Sequence, residues 1–312
     1  MKTAVRQLTF LVGDGSPYYI DLAECLSLVN RQAYSQGYVY LVESFTWQHS
    51  TPPPAVSSVN VISLPTSWTV YQSWKKAKRL WDKMNRQPGV VLPAYHDYKV
   101  FMDAVHYQAH VDLITNLLPV DGSLAAFSNV GREWQYAQYV TPTAGGSGVA
   151  GENACHMLGD DSTVNNGTIS TDGSHAIIQG YGDTRTTVGL EEPELPGDAS
   201  TSWQTELFDE GETFTDLVNH LEGHNDQPPY AHALDAQGGD DPIYVGGSVS
   251  GLTGHRLATV APISTETVYA PGGEVPLGLL NINGTNGGKL TINLAPGVYK
   301  GIAAMPMGKV ST

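Results

Sequence analysis

Six of the chain's sixteen basic residues fall within positions 75–86: Lys75, Lys76, Lys78, Arg79, Lys83 and Arg86. Cations at that density can hold phosphates, gaining affinity by releasing condensed counterions without reading base sequence. They can equally be the solvated face of a surface helix, which is what most charge runs are. Trp74 and Trp81 stand among them, and aromatics between cations can stack on unpaired bases. Yet Trp74, Ala77, Trp81 and Met84 recur at i, i+3, i+7 and i+10, a single apolar stripe on a helix. Core burial is therefore the expected use of both indoles.

Other residues offer metal or acid–base chemistry. His220, Glu222, His224 and His232 are the best metal candidates, since His220 and His224 stand one helical turn apart. Gly223 and the stretch 225–229 end any helix between them, and the HExxH order is absent, so a loop histidine cluster is expected. His106 and His110 share the four-residue spacing without an acidic or thiol partner, which predicts core or surface histidines. Asp160-Asp161, Glu191-Glu192-Glu194, Asp209-Glu210-Glu212 and Asp240-Asp241 offer carboxylates for a glycosidase-like pair. Such pairs come from separate strands, and acids in loop-like sequence are ordinarily solvated. No Asp-x-Asp-x-Asp-Gly loop for Ca²⁺ is present. Gly13-Asp14-Gly15-Ser16 and Gly145-Gly146-Ser147-Gly148 lack the Lys-Ser/Thr of a phosphate-binding P-loop. The sequence thus predicts no catalytic residue, no metal and no cofactor.

The remaining charge is sorted just as sharply. The formal net charge is -15, and across 133–255 twenty Asp and Glu stand against one basic residue, Arg185. The rest of the chain carries fifteen basic and eleven acidic residues. Such a division predicts two faces that meet different surroundings. Plentiful Gly (34) and Pro (19), with Thr, Ser, Val and Tyr between them, favour strands joined by turns over a helical bundle. Cys25 and Cys155 either pair or are two buried thiols, the second being expected. The apolar run 8–12 is too short for a signal-peptide core, and no stretch is long enough to span a bilayer. A soluble protein with no membrane partner is expected.

These residues need elements to place them. Residues 3–12 alternate as a strand ending at Gly13-Asp14-Gly15. Asp21 opens a helix on which Leu22, Cys25, Leu26, Val29 and Ala33 recur, with Gly37 as its stop. The β-branched and aromatic stretch 37–47 reads as a strand broken by Pro52-Pro53-Pro54, and 56–64 as the next. The basic helix follows and ends at Gln87-Pro88-Gly89. Then come a helix over 97–118, strands at 124–128 and 133–141, and a Gly-rich loop at 143–151. Strands at 167–170, 176–181 and 184–189, an acidic loop at 191–211, a short helix at 213–221 and a loop at 224–241 follow. Strands at 257–263, 276–283, 289–294 and 298–304 close the chain. Roughly ten strands, with helices confined to connections, predict an all-β sandwich. It is read as one domain over 1–312 with acidic loop insertions in 143–255; two small sandwiches divided near residue 145 are the alternative.

Three stretches, taken in order, carry a family resemblance: 18–47 (YYIDLAECLSLVNRQAYSQGYVYLVESFTW), 61–85 (VISLPTSWTVYQSWKKAKRLWDKMN) and 294–305 (LAPGVYKGIAAM). Together they resemble jelly-roll capsid proteins of small circular single-stranded DNA viruses, especially those known from environmental sequencing. The likeness covers roughly the first ninety residues and the final forty, and not the acidic middle. It implies a jelly-roll β-sandwich with a few helices and long loop insertions, or a double jelly roll. Such a subunit would self-assemble into a closed, icosahedral-type shell around a nucleic-acid genome. The implied partners are further copies of the chain, packaged nucleic acid held without sequence preference, and a host receptor; the implied location is the virion. Many such coat proteins begin with an Arg-rich arm, whereas positions 1–20 here hold only Lys2 and Arg6. That departure leaves the basic helix as the main candidate for genome contact.

Two other classes stay open. One is a phage-fibre or surface β-sandwich that binds carbohydrate or a receptor through tyrosines and loop acids. The other is a β-sandwich hydrolase, which would show turnover lost on changing one Asp or Glu.

Overall fold

The computed structural model describes residues 4–14, 17–49, 58–86, 97–112, 116–127, 134–142, 150–159, 164–165, 168–169, 173–183, 254–260, 267–285 and 287–310. Along them run β1 (Gln7–Val12), β2 (Tyr18–Asp21), α1 (Leu22–Asn30), β3 (Tyr38–His49), β4 (Ser58–Ser63) and α2 (Trp68–Arg86). Next come β5 (Phe101–Asp103), α3 (Ala104–Val111), β6 (Gln138–Pro142), β7 (Ala150–Leu158), β8 (Val164–Asn165), β9 (Thr168–Ile169), β10 (Ser174–Ala176) and α4 (Ile177–Asp183). The chain closes with β11 (His255–Val260), β12 (Val268–Pro271), β13 (Glu274–Pro276), β14 (Leu279–Thr285), β15 (Gly288–Leu294), β16 (Pro296–Gly297), β17 (Gly301–Ile302) and β18 (Ala304–Pro306). Among the described residues strand outweighs helix, so the expected β-sheet fold holds in its coarse form, with a larger helical share than an all-β sandwich implies. Two units pack separately: one from Met1–Thr66, Ala109–Gln135 and Gly254–Thr312, the other from Ser67–Gln108 and Tyr136–Thr253.

In the first unit β1, β4 and β15 alternate between buried and outward residues, the period of strands with one face on a core. β15 lies between β1 and β3, antiparallel to both, and β12 continues the sheet beyond β3. The short β13 and β18 also pair with β3. A second sheet runs β11-β4-β14-β2, antiparallel throughout. Phe10 of β1, Phe45 and Trp47 of β3 and Ile292 of β15 share one core with Ile20 of β2, Val61 of β4 and Ile282 of β14.

The pairing across these eight strands is nested. The first pairs with the last (β1 with β15), the second with the seventh (β2 with β14), the third with the sixth (β3 with β12) and the fourth with the fifth (β4 with β11). The stretch that supplies the second unit lies in the connection between the fourth strand and the fifth. α1 bridges β2 and β3, and Asp21 caps it, as expected, by accepting the Ala23 and Glu24 N–H groups. Its stop differs from expectation. Arg31, at φ 53°, takes the left-handed conformation that ends the helix, so Ala33 and Gly37 lie beyond it.

In the second unit β7 is central, with β5 and β10 pairing to it in parallel and β6 antiparallel. α4 packs on α2 and β7. Three sequence expectations are corrected. Residues 97–118 do not form one helix: Tyr98, Val100, Phe101 and Met102 are buried outside any helix, and α3 begins only where Asp103 Oδ1 accepts the His106 N–H at 2.7 Å. Within 176–181 the strand stops at Ala176 and α4 takes over; a short apolar run buried on every side carries no period to tell strand from helix. At 124–128 a single bridge between Val120 and Ala126 replaces the strand. The expected strand at 184–189, the helix at 213–221 and the loops at 191–211 and 224–241 lie outside the described residues. Cys25 and Cys155 are both buried thiols, as expected.

Candidate nucleic-acid interface

The basic cluster sits on α2. Its first turn is held by Ser67, whose Oγ accepts the Val70 N–H at 3.5 Å and whose carbonyl accepts the Tyr71 N–H at 3.3 Å. Val70, Trp74, Ala77 and Trp81 form the buried stripe. The Trp74 and Trp81 rings lie 6.0 and 5.3 Å from the ring of Tyr98. Both indoles are core, as their spacing predicts, and neither is presented for stacking on a base. Beneath the helix the Tyr139 hydroxyl donates to the Ala77 carbonyl at 2.7 Å and lies 2.8 Å from the Tyr98 hydroxyl. Burial above all pushes both phenols well above their ordinary range, so they act as neutral hydrogen-bonding groups.

The six cations are not equivalent. Arg79, Lys83 and Arg86 are exposed and recur at i, i+4 and i+7 on the side opposite the buried stripe. They spread over about 10 Å of helix. Lys75 is half-buried nearby. Lys78 is paired with Asp82 at 2.8 Å one turn on, and the Lys76 ammonium lies 5.5 Å above the Tyr181 ring of α4. Lys76 therefore also packs on α4 and Lys78 braces α2 along its own length, while Arg79, Lys83 and Arg86 form an outward row suited to a phosphate backbone. The Lys78–Asp82 pair and the outward row follow from helical spacing, whereas the Lys76 contact does not, because Tyr181 comes from a distant helix.

The histidines and acids fall into place only in part. His106 is buried and its Nδ1 accepts the Met102 N–H at 3.1 Å, so of the expected core or surface roles it takes the core one. Burial pushes the His110 imidazole down. His220, Glu222, His224, His232 and the acidic pairs and triplets of 160–241 lie outside the described residues. Among the described residues no group of three or more His, Cys, Asp or Glu can hold a metal ion, and no helix is long and apolar enough to cross a membrane.

Three features escaped the sequence reading. His156 Nδ1 and Ser174 Oγ lie 2.7 Å apart, the contact of a nucleophile with its base, yet both residues are fully buried and present no face to a substrate. An open polar cleft of about 360 Å³ on the first unit is lined by Arg6, Gln7, Glu43, Ser44 and Asn293. Asp21 and Glu24 are a buried carboxylate pair at the start of α1. The first two join residues far apart in the chain, and the burial of the third depends on Gln36, Asn116 and Trp134, so no local spacing announces them. No protein-family model, curated protein or solved structure matches the chain.

Proposed function

We propose that this chain is a viral coat protein: a jelly-roll subunit that self-assembles into a closed shell around a nucleic-acid genome. The observation that carries the reading is the nested pairing of first strand with last, second with seventh, third with sixth and fourth with fifth. That order is what an eight-stranded antiparallel ribbon gives when it rolls into two facing sheets, the jelly roll common in capsid subunits. The pattern agrees with the resemblance of 18–47, 61–85 and 294–305, which contribute strands to both sheets. Arg79, Lys83 and Arg86 supply the sequence-independent phosphate contact, and the net negative charge of 133–255 keeps particles apart. No step of this role requires a catalytic residue or a cofactor.

Electron microscopy of the purified chain over a range of salt and pH tests the reading, with closed particles of uniform size expected. Monomers or small oligomers under every condition would overturn it. The polar cleft at Arg6 and Glu43 favours a second reading, a surface β-sandwich that binds carbohydrate. Glycan binding by a discrete oligomer that retains no nucleic acid would select it.

A further inference from the structure

The first unit buries two carboxylates one helical turn apart. Asp21 is fully buried and Glu24 is 3% exposed. Asp21 Oδ1 accepts the Ala23 and Glu24 N–H groups at 3.0 and 3.3 Å, and its Oδ2 accepts Gln36 Nε2 at 3.0 Å and Trp134 Nε1 at 3.2 Å. Glu24 Oε2 accepts Asn116 Nδ2 at 2.8 Å. Five donors, two of them N–H groups of the helix N-terminus, serve one negative charge well. A second charge in the same desolvated place is poorly served, which favours a proton on the Asp21 carboxyl. Burial first, and Glu24 second, raise the Asp21 carboxyl to about 7, against the pull of Gln36 and the two backbone N–H groups. Opposite Asp21 on β14 stands the apolar Leu279.

Two of those donors belong to a stretch of chain that also covers strand edges. Between Asn116 and Trp134, the Leu117 N–H donates to the Tyr19 carbonyl of β2 and the Val120 N–H to the Thr9 carbonyl of β1, both at 2.7 Å. The Leu117 carbonyl lies 3.9 Å from the Cys25 sulfur. β1 and β2 are the end strands of their sheets, and an uncovered end strand is a template for another chain. The same stretch therefore caps one end strand of each sheet and donates to both carboxylates.

We propose that residues 116–127 with Trp134 are a strap latched by the Asp21–Glu24 pair. While the pair keeps one proton the strap lies across the edges of β1 and β2; when that proton leaves, the strap lets go and uncovers them. The second charge needs water, and both carboxylates are buried, with Asn116 of the strap bonded to Glu24. The device rests on the geometry of the first unit and operates whether or not the chain builds shells.

Amide hydrogen exchange on the purified full chain tests it, from pH 5.5 to 8.5 with the intrinsic base-catalysed rate divided out. The Leu117 and Val120 amides should lose at least about tenfold more protection over that range than the Ile292 amide in the middle of β15. Glu24→Gln, which keeps an acceptor for Asn116 and removes one charge, should hold the strap amides protected at high pH. Trp134→Phe, which removes one latch, should expose them at low pH as well. Strap amides that stay protected throughout, or that fall only in step with Ile292, would overturn the proposal. So would a Glu24→Gln chain that repeats the wild-type profile.

Discussion

The Tyr139 hydroxyl donates to the main-chain carbonyl of Ala77 across 2.7 Å, in the middle of the helix that carries the basic cluster. Each phenol has one proton, so the Tyr98 hydroxyl, 2.8 Å away, donates in turn to Tyr139. The Trp81 ring lies 5.3 Å from Tyr98, and the Tyr98 and Tyr139 rings meet edge to face at 6.2 Å. These contacts fix the rotation of α2 and with it the set of cations that face outward.

Removing the Tyr139 hydroxyl should loosen that arrangement. Tyr139→Phe leaves the buried Tyr98 hydroxyl without its acceptor, at a cost of about 1–3 kcal/mol. Replacing both tyrosines by Phe should cost less than the sum of the single changes, because no orphan hydroxyl remains. Denaturant unfolding of the four chains checks this. Strict additivity would mean that the two hydroxyls do not act as a chain.

The outward row predicts how nucleic-acid retention responds to salt. Changing Arg79, Lys83 and Arg86 together to Gln should flatten the log–log salt dependence of single-strand binding by about 2, since each lost phosphate contact removes about 0.7. Changing Lys76 and Lys78 to Gln should instead lower the melting temperature and leave that slope nearer the wild type. Filter binding and heat melts separate the two sets. Equal slopes for wild type and the triple variant would return the row to the status of a solvated face.

The helix stripe on α2 was readable because Trp74, Ala77 and Trp81 repeat at helical spacing with nothing to interrupt them. Asp21 as a cap was readable for the same local reason. The strands β3 and β15 were found close to their observed limits from β-branched content and flanking Gly and Pro. By contrast β2 is four residues long and runs straight into α1, too short to establish a period before the helical one begins. The nested pairing is wholly non-local: β1 meets β15 with the rest of the chain between them. The strap and its carboxylates escaped for that reason too, since Asn116 and Trp134 reach Glu24 and Asp21 from 92 and 113 residues away.

The buried pair gives the chain's stability a direction with pH. The Asp21 carboxyl is raised in the fold, from 3.8 to about 7. Between those values the folded chain keeps a proton that the unfolded chain has lost, so stability falls as pH rises through that window and levels off above it. The loss is at most about 4 kcal/mol. Heat melts of wild type and Glu24→Gln from pH 4 to pH 8 isolate the pair from the other acids. The gap between the two should be smallest at pH 4 and widen in favour of the variant up to pH 7. A gap that does not change with pH would place the titration elsewhere.

The bend in β3 depends on one glycine of the strand connection beside it. The register of β15 against β3 shifts between Asn293 and Leu294, which leaves Glu43 as the extra residue of a bulge. On the other side the Gly272 N–H donates to the Glu43 carbonyl and the Val42 N–H to the Gly273 carbonyl, both at 3.0 Å. A Cβ on Gly272 would lie 2.2 Å from the Val42 oxygen and 2.6 Å from its carbonyl carbon, backbone atoms that cannot swing aside. Gly272→Ala must therefore part β3 from the turn between β12 and β13, at a cost of about 1–3 kcal/mol or more. Gly284→Ala is the control, because its new Cβ would meet nothing closer than 3.6 Å. Heat melts should show the first variant well below wild type and the second close to it. If Gly272→Ala melts with the wild type, the backbone approach at the bulge is not what holds this end of the sheet.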